Sequence, residues 1–269
     1  MIREALSASV DALRAAGVED PRLDAELLLA EATGWERAYL ASHPEAEIPP
    51  PAARRFGEMV RRRLRREPVA YILGRRGFRH IELAVDPRVL IPRPETELLV
   101  ELALELRPGS VLDLGTGSGA ISLAIASEMP ECELTATDTS ARALEVARAN
   151  AGRLGLAERV RFLKGSLPPE ERFDLVVANL PYVAEADWPS LQPEVTEWEP
   201  REALLAGPDG LDAFRAVISA APAVASVIGL EVGEGQAEAV GELLIEAGFG
   251  AIEARADLAG IDRVVVGRR

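Results

Sequence analysis

Short apolar segments and longer helix-like segments alternate along the chain from residue 93 onward. The short segments are typical of buried strands, and the longer ones repeat apolar residues at three- and four-residue spacing, as helices do. Parallel strands need a crossover between them, usually a helix, so the alternation predicts a mostly parallel α/β sheet with helices on both faces. The predicted strands span residues 110–114, 133–137, 160–163, 173–178 and 227–231, and the predicted helices span about 118–128, 140–154, 209–221 and 234–247.

The two ends of the chain depart from this alternation. Residues 251–256 and 261–266 lie too close together for a helical crossover, so we expect an antiparallel pair at one edge of the sheet. Residues 1–70 have helical spacing, and the alternating pattern after them predicts a hairpin. We therefore predict a helical N-terminal domain over residues 1–70, a β-hairpin linker over 71–92 and an α/β domain over 93–269.

A glycine-rich loop, Asp113-Leu-Gly-Thr-Gly-Ser-Gly119, follows the first strand and opens a helix. Glycines let backbone N–H groups come close to a ligand, and the helix N-terminus adds positive potential. The G-x-G-x-G spacing differs from the G-x-G-x-x-G of dinucleotide enzymes, which disfavours a nicotinamide-dependent oxidoreductase. A G-x-G-x-G loop with an acidic residue just before it, here Asp113, suits a nucleoside with a cationic amino-acid tail. The predicted cofactor-binding residues of this loop are Gly115, Thr116, Gly117, Ser118 and Gly119.

Asp138 ends the second predicted strand, about 20 residues after the glycine loop. A carboxylate at this position can accept both hydroxyl groups of a ribose. The alternative role is a cap on the helix that starts near Ser140, although Thr139 or Ser140 can also provide that cap. We favour ribose binding because of the glycine loop upstream.

Asn179-Leu180-Pro181-Tyr182 comes directly after the strand predicted over residues 173–178. The Asn side-chain oxygen and the carbonyl of the next residue can each accept one N–H of a planar NH₂ group. Pro181 stiffens the turn, and Tyr182 offers a flat face to an amide or a base. Such a site suits a glutamine amide or an adenine amine. The structural alternatives are a strand-end cap for Asn179 and a packing role for Tyr182.

The charge of the chain bears on its partners. A net charge of −14 argues against a nucleic-acid substrate, because such binding depends on neutralising phosphates. Seven arginines nevertheless crowd residues 54–66, where they form either a solvated helix face or a docking surface for an acidic partner.

The sequence also favours a cytoplasmic protein without a metal. Its one cysteine, Cys132, fits a reducing compartment. Neither a signal peptide nor a membrane-spanning apolar run is visible in the sequence. The two histidines, His43 and His80, are far apart, so we predict no histidine metal cluster.

The motifs resemble those of class I S-adenosylmethionine-dependent methyltransferases, and within them the HemK/PrmC-type protein-(glutamine-N5) methyltransferases of peptide chain release factors. The resemblance covers nearly the whole chain. Three features extend it beyond the general fold: the helical N-terminal domain, Leu90-Ile-Pro-Arg-Pro-Glu-Thr-Glu97, and Trp198-Glu-Pro-Arg201 followed by Gly207-Pro-Asp-Gly-Leu211.

The resemblance implies a Rossmann-like class I methyltransferase sheet and a helical domain that docks the substrate. It implies S-adenosyl-L-methionine as cofactor, S-adenosyl-L-homocysteine as product, and no metal. The implied partners are class-1 release factors, methylated on the glutamine amide of their Gly-Gly-Gln motif, without direct binding of nucleic acid or membrane. The implied catalytic and substrate-binding residues are Asn179, Leu180, Pro181 and Tyr182, and Ser166, Leu167 and Asn179 join the cofactor-binding set.

Two residues depart from the family pattern. Leu180 replaces the first proline of Asn-Pro-Pro-Tyr, a change that is harmless if position 180 contributes its backbone carbonyl. Ser166 stands near where the family often has an acid for the adenine amine, so a backbone group is the alternative there. Asn-Leu-Pro-Tyr also resembles rRNA adenine dimethyltransferases, which leaves N6-adenine methylation of RNA or DNA as the alternative activity. A cofactor-binding module without catalysis is disfavoured by Asn179 and Tyr182.

Overall fold

The α/β sheet is present in a computed structural model that describes residues 1–168 and 171–269. Its strands are β3 (Ser110–Leu114), β4 (Glu133–Asp138), β5 (Val160–Lys164), β6 (Phe173–Ala178), β7 (Ala225–Glu231), β8 (Ala251–Ala256) and β9 (Asp262–Arg268). They stand in the order β5-β4-β3-β6-β7-β9-β8. The pairs among β3 to β7 are parallel, whereas β9 is antiparallel to both β7 and β8. The predicted fold class and the antiparallel edge pair are confirmed.

Helices cover both faces of this sheet. They are α6 (Glu97–Leu106), α7 (Ala120–Glu128), α8 (Ala141–Arg153), α10 (Asp212–Val224) and α11 (Ala237–Glu246). Alternate strand residues reach opposite faces, as the two-residue period of a strand requires. Leu175 and Val177 pack into one apolar core with Leu123, and Val176 and Ala178 pack into the other.

The sequence analysis missed helix α6. Its run Leu98-Leu99-Val100 and Leu102-Ala103-Leu104 is apolar around most of the helix, so it shows no clean stripe. Leu99 and Leu102 are fully buried against β7 at Gly229, where an added Cβ would collide with Leu102. The glycine therefore allows the helix to approach the sheet closely.

The chain divides into a helical unit, Met1–Gly74 with Gln192–Trp198, and a sheet unit, Arg75–Leu191 with Glu199–Arg269. The predicted boundaries differ in two respects. The helical unit ends after α5 (Val69–Leu73), so the hairpin of β1 (Arg75–Phe78) and β2 (Ile81–Ala84) is shorter than predicted and belongs to the sheet unit. The helical unit also includes α9 (Pro193–Trp198), which lies inside the predicted 93–269 domain.

The helical unit also contains α1 (Ile2–Ala15), α2 (Pro21–Thr33), α3 (Arg37–Ser42) and α4 (Pro50–Leu64). Prolines begin α2 and α4, where the missing N–H costs no helical hydrogen bond. Ile2, Leu28, Leu29, Phe56 and Met59 form its main apolar core.

Ion pairs inside the helical unit explain why α9 belongs there. Arg63 is 5% exposed and binds Asp24 at 2.7 Å and Glu194 of α9 at 2.6 Å. Arg66 binds the other oxygen of Glu194 at 2.5 Å. The arginine-rich segment is therefore not simply a solvated face, because part of its charge is used within the unit. Its exposed members include Arg54, Arg61 and Arg65.

Candidate active site

The strand order places three predicted motifs at one edge of the sheet. The order reverses between β3 and β6, and in such sheets ligands bind outside the carboxyl ends of the strands at this switch point. A cavity of about 310 Å³ lies there. Its lining includes the predicted residues Gly115, Thr116, Gly117, Ser118, Asp138, Ser166, Asn179, Leu180 and Pro181.

The glycine loop owes its shape to left-handed backbone positions. Gly115, Gly117 and Gly119 have φ angles of 74°, 56° and 86°. At Gly119, which precedes α7, an added Cβ would also lie only 2.8 Å from Leu123 Cδ1. Larger residues would therefore strain the loop and lift it from the helix behind it.

Asp113 anchors this loop from below. Its Oδ2 accepts hydrogen bonds from Thr116 Oγ1 at 2.6 Å and from the Ser122 backbone N–H at 3.0 Å. Its Oδ1 is buried and has no hydrogen-bond partner among the described residues. Burial raises the pKa of Asp113 to about 6, although the hydrogen bonds from Thr116 and Ser122 oppose this shift. The strand end thus holds a carboxyl group whose ionisation is costly.

Asp138 links the end of β4 to the glycine loop. Its Oδ2 accepts the Gly117 N–H at 3.0 Å, and its Oδ1 accepts the Ser140 N–H at 2.8 Å. Ser140 is the side-chain cap of α8, because its Oγ accepts the Ala143 N–H at 3.2 Å. The capping alternative for Asp138 thus belongs to Ser140, and Asp138 lines the cavity, where ribose binding stays its predicted role.

Asn179 is held by a buried threonine. Its Nδ2 donates a hydrogen bond to Thr96 Oγ1 at 3.1 Å, and Thr96 is 3% exposed. Within the described part of the chain, neither Asn179 Oδ1 nor the Leu180 carbonyl oxygen accepts a hydrogen bond. The Leu180 side chain is buried in the apolar core that contains Phe214 and Leu230. Two acceptors are therefore available beside a cavity whose wall includes both residues.

Tyr182 lies outside the cavity lining and packs against the sheet. Its backbone carbonyl accepts a hydrogen bond from Gln236 Nε2 at 3.0 Å, and an added Cβ at Gly233 would lie 3.1 Å from its ring. Gln236 Oε1 in turn accepts the Gly233 N–H at 2.9 Å. Burial, together with the nearby Glu231 carboxyl group, raises the pKa of Tyr182 to about 12. The phenol therefore stays neutral at physiological pH.

The two strings that carried much of the family resemblance are bound to each other. Glu199 is buried, and its carboxylate accepts the Ile91 N–H at 3.0 Å and Arg93 Nη2 at 2.5 Å. Pro200 follows it into the cavity wall. The ion pair of Arg93 and Glu199 thus holds one side of the cavity in place.

The structure separates the predicted site residues into two groups. Gly119, Leu167 and Tyr182 are outside the cavity lining, whereas the other predicted residues line it. All these roles stay predictions. Three neighbours of the tetrad Asn179-Leu180-Pro181-Tyr182 were not predicted from the sequence: Thr96, Glu231 and Gln236. Thr96 lies within a string noted for its resemblance, and Glu231 ends a predicted strand, but neither position alone indicates a contact with the tetrad.

Known families match both parts of the chain. Residues 4–74 match the PrmC N-terminal domain, and residues 94–193 match the methyltransferase small domain. The chain is 45% identical to a release factor glutamine methyltransferase of Bordetella pertussis, over 91% of this chain and 93% of that protein. It is 42% identical to one of Geobacter sulfurreducens, over 99% of this chain and 96% of that protein.

Solved structures with low sequence identity share the sheet fold. The catalytic domain of human Mettl16, solved with an RNA hairpin of the MAT2A 3′UTR, matches with a TM-score of 0.57 at 14% identity, covering 69% of this chain and 75% of that one. A methyltransferase from Pyrococcus furiosus matches with a TM-score of 0.52 at 19% identity, covering 69% and 87%. At these identities the similarity supports the fold alone.

The sheet, the glycine loop and the matched domains define a class I methyltransferase that uses S-adenosyl-L-methionine to methylate nitrogen. Within that class, the chain belongs to the release factor glutamine methyltransferase family.

None of the helices within residues 1–168 and 171–269 has both the length and the apolar character that a bilayer crossing requires. No group of three or more His, Cys, Asp and Glu side chains within the same ranges could hold a metal ion.

Proposed function

We propose that this enzyme methylates the side-chain amide nitrogen of the glutamine in the Gly-Gly-Gln motif of class-1 peptide chain release factors. The observation that carries the proposal is the arrangement of Asn179: its Nδ2 is committed to Thr96, and its Oδ1 and the Leu180 carbonyl are left as acceptors beside the cavity. Relatives named for this activity match nearly the whole chain and support the choice of substrate.

The cavity fits S-adenosyl-L-methionine in size and in chemistry. A volume of about 310 Å³ lies in the range of small-molecule sites. The left-handed glycines keep the loop free of side chains at Gly115 and Gly117, and Asp138 supplies a carboxylate acceptor. Gly115 to Ser118, Asp138 and Ser166 would hold the cofactor. When bound, the cofactor supplies an electrophilic methyl group on a sulfonium.

An amide nitrogen is a poor nucleophile, because its lone pair is delocalised into the carbonyl. The Asn179 Oδ1 and the Leu180 carbonyl would each accept one N–H of the glutamine amide, which fixes the direction in which the nitrogen faces. The same two acceptors would stabilise the positive charge that develops on nitrogen as it is methylated. The proton leaves afterwards, so no strong general base is required in this scheme.

Leu180 clarifies what its position contributes. Its side chain is buried in the apolar core and carries no polar atom, so it offers the substrate no hydrogen bond. Its carbonyl has no hydrogen-bond donor among the described residues, which supports the backbone as the functional group. Leu180→Pro keeps this carbonyl, and we expect it to cost far less activity than Asn179→Ala.

A substrate panel tests the proposal. The protein is incubated with methyl-labelled S-adenosylmethionine and, separately, with a release factor, total RNA or DNA. We expect label in the release factor, and none in a release factor whose Gly-Gly-Gln glutamine is replaced by alanine. Label in RNA or DNA but not in the release factor would instead establish the adenine alternative. We place the reaction in the cytoplasm, where the sole cysteine, Cys132, stays reduced.

A further inference from the structure

Glu231 is a buried acid beside the tetrad that the proposed chemistry does not use. It ends β7 and is 2% exposed. Ala178 of β6 pairs with Leu230 of β7, so the next residues, Asn179 and Glu231, leave two neighbouring parallel strands at the same level. A carboxyl group is therefore buried next to the tetrad.

Thr96 lies beside both side chains. Its Oγ1 accepts the Asn179 Nδ2–H at 3.1 Å, and its hydroxyl is near enough to the Glu231 carboxyl group to oppose the rise in the pKa of that acid. A hydroxyl has one proton. Because Thr96 accepts from Asn179, its own proton is available to Glu231. A chain of donors can therefore run from Asn179 through Thr96 to Glu231.

The charges around Glu231 do not neutralise it directly. Its Oε2 is buried without a hydrogen-bond partner in the described residues. Tyr182, Glu95, Arg93 and Arg263 face it from the tetrad loop, the segment before α6 and β9. The two arginines are bound elsewhere, since Arg93 pairs with Glu199 and Arg263 with Asp257. Burial therefore dominates and raises the pKa of Glu231 to about 7.

We propose that Glu231 is a positioning residue which, through Thr96, fixes the amide of Asn179 with its oxygen toward the substrate. The inference rests on the proposed role of Asn179 as acceptor. An ionised carboxylate accepts hydrogen bonds only, so the Thr96 hydroxyl must donate to it and accept from Asn179 Nδ2. A protonated Glu231 can donate to Thr96 instead, and Thr96 can then donate to Asn179 Oδ1. The Asn179 amide would flip and present N–H groups that repel those of the substrate.

The proposal predicts that the turnover rate depends on the ionisation of Glu231. The wild-type kcat should fall as the pH is lowered through about 7 and should level off above about pH 8. In Glu231→Gln the side-chain amide can either donate or accept, so both states of Thr96 are allowed at every pH. This variant should lose about tenfold in kcat at high pH and lack the acidic fall, with an unchanged KM for S-adenosylmethionine.

The experiment measures kcat and KM against pH for the wild type, Glu231→Gln, Thr96→Val and Thr96→Ser. Thr96→Val should behave like Glu231→Gln, and Thr96→Ser should restore most of what Thr96→Val loses, because only the serine keeps the hydroxyl. Adding Glu231→Gln to Asn179→Ala should cause little further loss. A Glu231→Gln enzyme with the wild-type kcat and the same acidic fall would overturn the proposal, and so would a fully additive double variant.

Failure of the proposed function would be recognised separately. If the wild type labels RNA or DNA and not the release factor, the proposed substrate is wrong. The same variants are then compared on the labelled nucleic acid, because an adenine amine also needs Asn179 as acceptor. On either substrate, a wild-type kcat without the acidic fall would overturn the positioning role of Glu231.

Discussion

Two buried carboxyl groups of the sheet unit, those of Asp113 and Glu231, lack the arginine partners that the carboxyl group of Glu194 has in the helical unit. In the helical unit, Arg63 is surrounded by acids, and Glu194 is shared by Arg63 and Arg66. Although burial alone would raise the pKa of Glu194, hydrogen bonds from these arginines lower it. In the sheet unit, Asp113 and Glu231 each keep one buried oxygen without a partner in the described chain, and burial raises both pKa values.

The paired charges around Glu194 stabilise the fold, whereas Asp113 and Glu231 are carboxyl groups near the predicted site of reaction. A buried ion pair is costly to break because removing one partner leaves the other charge unsolvated. A buried carboxyl oxygen without a hydrogen-bond partner already carries that cost, and such groups cluster at functional sites. Asp113 underlies the glycine loop and Glu231 underlies the tetrad, so both acids with such an oxygen lie at the edge of the sheet where the cavity opens.

The largest effect on stability is expected in the helical unit. Arg63→Ala removes the partner that Asp24 and Glu194 share and should lower the free energy of unfolding by about 3–5 kcal/mol. Denaturant titration measures this loss. The control is Arg61→Ala in the same helix, because Arg61 is exposed and its replacement should change stability by less than about 0.5 kcal/mol. Equal effects of the two variants would show that the buried pairs do not hold this unit.

Glu231→Gln should instead raise the free energy of unfolding. The pKa of Glu231 is about 7 in the folded chain, above its ordinary value of 4.5, so folding favours the protonated acid. Its contribution to stability is present below about pH 4.5 and is lost as the pH rises through 7. The neutral glutamine avoids this loss.

We therefore expect Glu231→Gln to be more stable than the wild type at pH 8 by on the order of 3 kcal/mol, and nearly equal to it near pH 4.5. Unfolding curves at several pH values test this. Glu234→Gln, at an exposed position three residues on, is the control and should show no such trend. A Glu231→Gln protein less stable than the wild type at pH 8 would mean that the ionised Glu231 carboxylate has stabilising partners in the folded chain.

Asp138 is an intermediate case, because backbone N–H groups satisfy both of its oxygens. Asp138→Ala should raise the Kd for S-adenosylmethionine about tenfold or more, since the ribose acceptor and the Gly117 contact are lost together. Isothermal titration calorimetry measures the change. Glu133→Ala, at the exposed start of the same strand, should leave the affinity unaltered. An unchanged affinity in Asp138→Ala would show that Asp138 does not bind the ribose.

Local patterns in the sequence were sufficient for the sheet and for the motifs at its edge. The alternation of strands and helices predicted the fold, and parallel strands bring their carboxyl ends together, so Asp138 and Asn179 could be assigned to one site. The Asn-Leu-Pro-Tyr turn could be interpreted from the hydrogen-bonding groups of its residues alone.

Contacts between distant residues could not be predicted in this way. Thr96 and Asn179 are 83 positions apart, and Arg63 and Glu194 are 131 positions apart. The nearness of Glu231 to the tetrad depends on the register between β6 and β7, which a period-two pattern does not specify between strands. Helix α6 was missed because its apolar residues do not form a stripe.

The central claim is that Asn179 orients a glutamine amide for methylation, and peptide mapping tests it most directly. A release factor is incubated with S-adenosylmethionine and either the wild type or Asn179→Ala, and its Gly-Gly-Gln peptide is sequenced by tandem mass spectrometry. We expect one methyl group on the glutamine side chain with the wild type. Asn179→Ala should lose about a hundredfold or more in rate while still binding the cofactor. A methyl group on another residue, or equal methylation by both proteins, would contradict the account.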